Sequence, residues 1–321
     1  MALYPLQFKP IFKQTLWGGD KLNKLFHKSA PKQTGESWEI SGLAQNDSVV
    51  SAGALAEKTL RQLCQTYGAE LLGKKVVAQT GAEFPLLFKL IDAKQDLSLQ
   101  VHPDNKLAQK RHQCFGKTEM WHVVQADEGA QLINGFTKPL PKEQYAQAVS
   151  DGSILNYVGK YQVHAGDSFF IPAGRIHGIG AGIVIAEIQQ TSDITYRLYD
   201  YHRKDKEGKE RALHTQEGLD ALDFSVLPNV VIRTTEVPNA PQEIVSCPFF
   251  TVNLLSLHSQ LERDLLTQDC FVAYMVLEGA AELECEGESY VLSAGQSILI
   301  PAALTKYTLS SPAAKLLEVY I

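Results

Sequence analysis

Apolar and polar positions along this chain change over in short runs, and helical spacing is confined to a few places. Pro85–Val101, Met120–Gly135, Tyr161–Pro172, Val184–Gln190, Phe249–Leu257, Ala273–Cys285 and Ser289–Pro301 are β-prone stretches punctuated by Gly, Pro and Asp, the rhythm of an all-β chain. Within Leu55–Gly73, Leu55, Leu60, Leu63, Tyr67 and Leu71 recur near a 3.6 period, which predicts a helix. A second helix is expected over Pro141–Ser150 and a short third over Thr215–Asp223, with Thr215 as its N-cap. The mixed-charge run Tyr201–Arg211 reads as a solvated loop or linker.

One unit occurs twice. GDSFFIPAGRIHGI from Gly166 matches GQSILIPAALTKYT from Gly295, and each copy follows a strand pair with a Gly turn, WHVVQADEGAQLI from Trp121 and YMVLEGAAELECE from Tyr274. Short antiparallel strands with Gly-x5-Pro corners suit a jelly-roll barrel, because Gly permits the sharp turn and Pro ends a ladder at the edge. The pattern resembles the cupin superfamily, whose second motif, Gly-x5-Pro-x4-His, is met by Gly166, Pro172 and His177. In the second copy Lys306 replaces the His, and a protonated amine is a poor ligand. The expected fold is all-β dominated: two cupin (jelly-roll) β-barrels with a few helices inserted in or flanking the first. Residues 1–235 form the catalytic unit and 236–321 a barrel without metal ligands.

The chemistry gathers in the first copy. In LSLQVHPDN, strand alternation puts Leu97, Leu99 and Val101 on one face and Ser98, Gln100 and His102 on the other. In GKTEMWHVV, Glu119 and Trp121 project to one side and His122 to the other. A barrel interior lined by Gln and His is costly unless those groups find partners, and a metal supplies one. Gln100, His102, Glu119 and His177 together offer two imidazoles, a carboxylate and an amide oxygen. That set suits one zinc ion per chain and also admits iron, manganese, cobalt or nickel. A His in a strand is usually a packing residue, so His112, His164, His202, His214 and His258 are assigned no chemistry.

Composition narrows the ligand. The chain has 321 residues and a net charge of −6, which gives no general pull on nucleic acid or an anionic membrane, so an anionic ligand must be met by a few local cations. The expected partner is a small molecule, and the chain itself is expected to be a monomer or weak homodimer. Five scattered cysteines without a CxxC pair point to a reducing compartment. With no stretch long and apolar enough for a membrane span, the expected location is cytoplasmic.

LWGGDKL from Leu16, GESWEIS from Gly35, FPLLFKLIDAKQDLSLQVHPDN from Phe84, GKTEMWHVV from Gly116, FFIPAGRIHGI from Phe169 and EIQQTSDITYRLYDY from Glu187 together resemble the short bacterial form of type I mannose-6-phosphate isomerases. The likeness runs in chain order over nearly the whole length. It implies metal ligation by Gln100, His102, Glu119 and His177, a catalytic arginine at Arg197, and active-site roles for Lys89, Lys117, Glu187 and Asp193. It further implies interconversion of D-mannose 6-phosphate and D-fructose 6-phosphate, with a proton moved between C1 and C2 through a metal-stabilised cis-enediolate. Glu187 is the favoured proton shuttle, and Lys117 and a metal-bound water are its rivals. Arg197 supplies a fixed positive charge, Asp193 orients it, Lys89 and Lys117 meet the phosphate or acidic neighbours, and Trp17 lines the sugar pocket or the core. The larger members carry Tyr two residues beyond the last ligand His, where this chain has Ile179. The alternatives are another cupin sugar-phosphate isomerase or a non-catalytic sugar-binding cupin.

Overall fold

The computed structural model describes residues 2–205, 207–226 and 231–321. Three sheets make up the molecule. A seven-stranded sheet runs in the order Asn46–Asp47, Thr34–Leu43, Ile11–Gly19, Leu86–Ala93, Ile183–Gln190, Glu119–Ala126, Ser168–Ile171. It faces a five-stranded sheet ordered Tyr196–Tyr199, Leu99–Val101, His177–Ile179, Gln131–Phe136, Val158–Gln162, and the two form the first barrel. The second barrel is built on an eight-stranded sheet centred on the long strand Val272–Cys285.

The strands Leu86–Ala93 and Ile183–Gln190 are buried at every position, yet their two faces differ in chemistry. Phe88, Leu90, Val184, Ala186 and Ile188 point away from the first barrel and join a large apolar cluster. Ile91, Ala93, Ile183 and Ile185 point inward, with Trp17, Trp121 and Ile179. The outward cluster is shared: Leu60, Leu63, Leu71, Leu72 and Val76 from the helical insertion enter it, and Val252, Leu254, Ala273, Met275, Leu299, Leu317 and Val319 enter it from the second barrel. At about 1.5–3 kcal/mol for each large apolar side chain removed from water, this common layer is what holds the barrels together. The N-terminal segment adds a backbone tie, since Leu6 and Leu299 exchange N–H to C=O hydrogen bonds of 2.8 and 2.9 Å.

The repeat has one structural meaning in both copies. Gly166 and Gly295 sit at φ +91° and +83°, the left-handed region that favours glycine, and each turns the chain into a short strand, Ser168–Ile171 or Ser297–Ile300. In the second copy Lys306 is exposed and faces Asp264 at 3.5 Å on the surface. The interior of that barrel instead holds a polar group of its own. Tyr274 donates to Glu318 at 2.7 Å and lies 2.8 Å from the Tyr307 hydroxyl, while Arg263 and Asn253 donate to the same carboxylate at 2.5 and 2.9 Å.

The helices depart from the sequence pattern. The expected helix Leu55–Gly73 begins at Leu60, behind a Thr59–Gln62 capping box. Glycines at positive φ then cut the region into Leu60–Tyr67, Ala69–Leu72 and Lys74–Thr80, with φ +47° at Gly68 and +94° at Gly73. Lys142–Ser150 is helical as expected. Thr215 is the first helical residue, not the N-cap; that position is His214, which makes no side-chain cap bond. The charged run Tyr201–Arg211 is no free linker, because Arg203 and Arg211 both grip the buried carboxylate of Asp200; Lys206 lies outside the described residues.

Candidate metal centre

Strand register assembles the site. On the five-stranded sheet, Gln100 pairs in register with His177 on one side and with Arg197 on the other. Cross-strand partners project to the same face, so these three side chains form one row. On the facing sheet Glu187 pairs with Lys89 and with Trp121, and Lys89 in turn pairs with Trp38. A second row is formed by Glu119, the register partner of Gln189. The two sheets press these rows together inside the barrel.

At the meeting point the Nε2 atoms of His102 and His177 lie 3.1 Å apart. Each ring is fixed through its other nitrogen: His102 Nδ1 is 2.9 Å from the Ile194 carbonyl and His177 Nδ1 is 2.8 Å from the Arg175 carbonyl. A carbonyl can only accept, so both Nδ1 atoms carry the proton and both Nε2 atoms present lone pairs. Burial, and the Lys117 charge after it, holds His102 well below the usual imidazole range; burial brings His177 down to about 3. Both rings are therefore neutral; the His102 lone pair is met by the Lys117 ammonium at 3.2 Å, and the close approach of the two Nε2 atoms favours a cation between them. Glu119 completes the set: Oε1 is 3.4 Å from His177 Nε2, Oε2 is 3.5 Å from His102 Nε2, and Oε1 is buried with no hydrogen-bond partner among the described residues. The ligand atoms of His102, Glu119 and His177 all lie within 4.8 Å of one another. Gln100 reaches the same point, its amide nitrogen 3.2 Å from His177 Nε2. A half-turn of that amide offers the oxygen instead. Neutral imidazoles, an unsatisfied carboxylate oxygen and an amide fit a divalent cation.

Around this centre runs a chain of alternating charge. Glu36 faces Lys89 at 3.5 Å, Lys89 faces Glu187 at 3.2 Å, Glu187 faces Lys117 at 3.7 Å, and Lys117 is in close contact with Glu119. Burial alone raises the Glu187 carboxyl, but Lys117 and Lys89 outweigh it and hold the group below its ordinary range. Burial and the Glu187 charge push Glu119 up. The two carboxyls titrate as a pair, and the environment keeps Glu187 ionised. Lys89 is engaged on both sides by carboxylates and lies 4.9 Å over the Trp38 ring, so it serves Glu187 and is not free for a phosphate. Trp121 donates to Glu187 and meets His177 in a T-shaped ring contact, 5.3 Å between centroids at 76°.

The other expected residues fall at the rim or in the wall. Arg197 donates from its guanidinium to the Ala212 carbonyl at 3.0 Å and is exchanged with His214 through two bonds, Arg197 N–H to His214 Nδ1 at 3.0 Å and His214 N–H to the Arg197 carbonyl at 2.8 Å. Asp193 does not orient it. Four-residue spacing brings side chains together on a helix, but here the chain passes from a turn into the strand Tyr196–Tyr199, and Asp193 is exposed. Trp17 and Ile179 pack in the barrel core. Reading along the sequence alone passed over Glu36, Trp121 and His214 as parts of the site. Trp121 carried a signal, since it shares a strand face with Glu119; the others come together only through tertiary contact.

Fold and site define the class: a cupin whose first barrel carries a buried two-histidine, one-glutamate cation centre beside a row of paired lysines and carboxylates. Residues 5–129 match the family model "Phosphomannose isomerase type I, catalytic domain", and residues 241–321 match "Mannose-6-phosphate isomerase, cupin domain". The mannose-6-phosphate isomerase of Streptococcus mutans is 36% identical over 93% of this chain and 94% of its own length. The crystal structure of the mannose 6-phosphate isomerase of Bacillus subtilis superimposes with a TM-score of 0.88 at 30% identity, covering 99% of this chain and 100% of that one. A zinc-bound mannose 6-phosphate isomerase shares the fold at 17% identity and a TM-score of 0.79, covering 98% and 99% of the two chains. The chain belongs to the type I phosphomannose isomerase family.

Proposed function

We propose that this protein interconverts D-mannose 6-phosphate and D-fructose 6-phosphate, with residues 1–235 as the catalytic unit and 236–321 as a barrel that supports it. The observation that carries the reading is the pair of neutral, backbone-anchored imidazoles at 3.1 Å with the unpartnered Glu119 oxygen beside them. Gln100, His102, Glu119 and His177 would hold zinc, the ion present in the fold relative described above. Bound there, the ion would supply Lewis-acid stabilisation of negative charge on the substrate's oxygens.

The remaining work falls to the protein. Moving a proton between C2 and C1 needs a base that is ionised when substrate arrives, and Glu187 meets this because Lys89 and Lys117 stabilise its charge. Lys117, between Glu187 and Glu119, offsets negative charge as the enediolate forms. Arg197 brings a fixed planar cation to the mouth, where it meets the oxyanion or the phosphate. Trp17 packs in the wall behind the site, and Asp193 at the rim borders the sugar. No helix among the described residues is long and apolar enough to cross a membrane. All five cysteines are free, which supports a cytoplasmic location. All four metal-facing side chains come from one chain, so a monomer or weak homodimer suffices.

A coupled assay tests the reading. Turnover of mannose 6-phosphate with none of glucose 6-phosphate is expected; turnover of glucose 6-phosphate alone would favour a different sugar-phosphate isomerase.

A further inference from the structure

Strand register lines up four side chains across the seven-stranded sheet. Trp38 is paired with Lys89, Lys89 with Glu187, and Glu187 with Trp121, and cross-strand partners share a face. The ion pair of Lys89 and Glu187, 3.2 Å across, is therefore bracketed by an indole at each end. Trp121 holds the carboxylate through its N–H. Trp38 holds the ammonium in two ways. Its ring lies 4.9 Å from Lys89 Nζ, and a cation on an aromatic face is attracted more strongly where water is excluded; Trp38 and Lys89 are both buried. Its indole nitrogen donates a 2.6 Å hydrogen bond to Oε2 of Glu36, the same oxygen that faces Lys89 at 3.5 Å. Lys13 meets this ring as well, at 4.8 Å, so the indole is held from two other strands.

Lys89 thus stands between two carboxylates that compete for it. The hydrogen bond from Trp38 meets part of the Glu36 charge and fixes that carboxylate where it stands, while the ring face opposes a shift of the ammonium. A Lys89 that turned wholly to Glu36 would leave Glu187 with Lys117 at 3.7 Å as its remaining ammonium partner, and a buried carboxylate that loses a counter-charge is poorly supported. We propose that Trp38 is a positioning residue for the isomerisation: it keeps Lys89 on Glu187, and through Lys89 it keeps the shuttle's carboxylate in place, without itself touching substrate. This rests on the reading of Glu187 as the proton shuttle. Trp38 and Trp121 then serve one ion pair from opposite ends, the first through the cation and the second through the anion.

The test uses the zinc-loaded full-length chain in double-mutant cycles, read in kcat and KM with fructose 6-phosphate and in bound zinc by elemental analysis. Trp38→Leu, which removes ring and donor, is expected to lose about tenfold in kcat, with KM within about twofold of the parent and one zinc per chain. Trp38→Phe, which keeps a ring face and loses the donor, is expected to lose about threefold, and it carries the cycles where Trp38→Leu does not fold. Added to Lys89→Met, either substitution is expected to cost less than about twofold more, because the group it positions is gone. Glu36→Gln supplies a second cycle of nearly unchanged shape, which stands even where Lys89→Met does not fold: on it Trp38→Phe should lose nothing further. Losses that multiply in either cycle would make Trp38 a packing residue and overturn the proposal. So would near-parent kcat in both Trp38 variants, or a kcat that falls only in step with bound zinc. Absence of isomerase turnover in the parent chain would defeat the isomerase reading and this proposal together. Turnover with multiplying losses would defeat the proposal alone.

Discussion

The indole nitrogen of Trp121 donates a 2.9 Å hydrogen bond to Oε2 of Glu187, while the same ring makes a T-shaped contact with His177. One buried residue thus braces both the candidate proton shuttle and a candidate metal ligand. Trp121→Phe keeps much of the ring and deletes the donor. A hydrogen bond to a charged acceptor contributes roughly 1.5–3 kcal/mol, so kcat should fall about tenfold or more while zinc content stays at one ion per chain. Steady-state kinetics with metal analysis on the same sample checks this; loss of zinc with kcat per bound ion unchanged would refute the assignment to Glu187.

Arg197 enters the site from its strand and is held by Ala212 and His214. A lysine cannot reproduce the planar fork. Arg197→Lys and Arg197→Ala are both expected to cut turnover by about two orders of magnitude or more, with little change in thermal midpoint, since the residue is only partly buried. Near-normal turnover in both would remove Arg197 from the mechanism.

The second barrel makes a contrasting prediction. Arg263 and Glu318 form an ion pair at 2.5 Å with side chains 17% and 1% exposed, and removing one partner leaves a buried charge unmatched. Arg263→Met should destabilise the chain by about 3 kcal/mol. Zinc affinity and the turnover of the folded fraction should be unchanged, because this group lies in the other barrel. Urea denaturation and kinetics at low temperature separate the two effects, and impaired zinc binding would show that the second barrel contributes to the site.

His122, on the outward face of the strand that carries Glu119, bonds Ser168 Oγ at 2.9 Å. Burial, and the Lys315 charge after it, lowers its pKa from 6.5 to about 4. Above pH 6.5 the ring is neutral in both folded and unfolded chains. Between pH 6.5 and 4 the unfolded chain takes up a proton that the folded one refuses, so stability falls as pH falls, by about 3 kcal/mol in all. His122→Gln should flatten that slope. Unfolding free energies of parent and variant at pH 7, 5 and 4 should converge by this amount; a constant difference would contradict the assignment.

Much of this was legible in the sequence because it is local. Gly166 with Pro172 and Gly295 with Pro301 mark turns that the backbone itself demands, and strand alternation placed His102 and Glu119 in the barrel. The helix over Leu55–Gly73 was misjudged because apolar spacing continues across Gly68 and Gly73, which end helices through their positive φ. Asn105–His112 was overlooked because its helix has hardly any apolar face, although Asp104 caps it through the Leu107 N–H. Asp193 was expected to orient Arg197, but it is exposed on the coil that precedes the strand Tyr196–Tyr199. The Glu36 to Lys89 contact, the His214 clasp on Arg197 and the Trp38 ring against Lys89 depend on register between distant strands, which one sequence does not specify.

The central claim is that Gln100, His102, Glu119 and His177 hold the ion on which isomerisation depends. Its most direct test is to strip the purified chain with a chelator, confirm the loss by elemental analysis, and follow fructose 6-phosphate turnover as zinc is returned in measured steps. The account predicts less than about 1% of activity in the stripped protein and recovery that is linear up to one zinc per chain, with neither binding nor recovery in His177→Ala. Full turnover by the metal-free protein would contradict it.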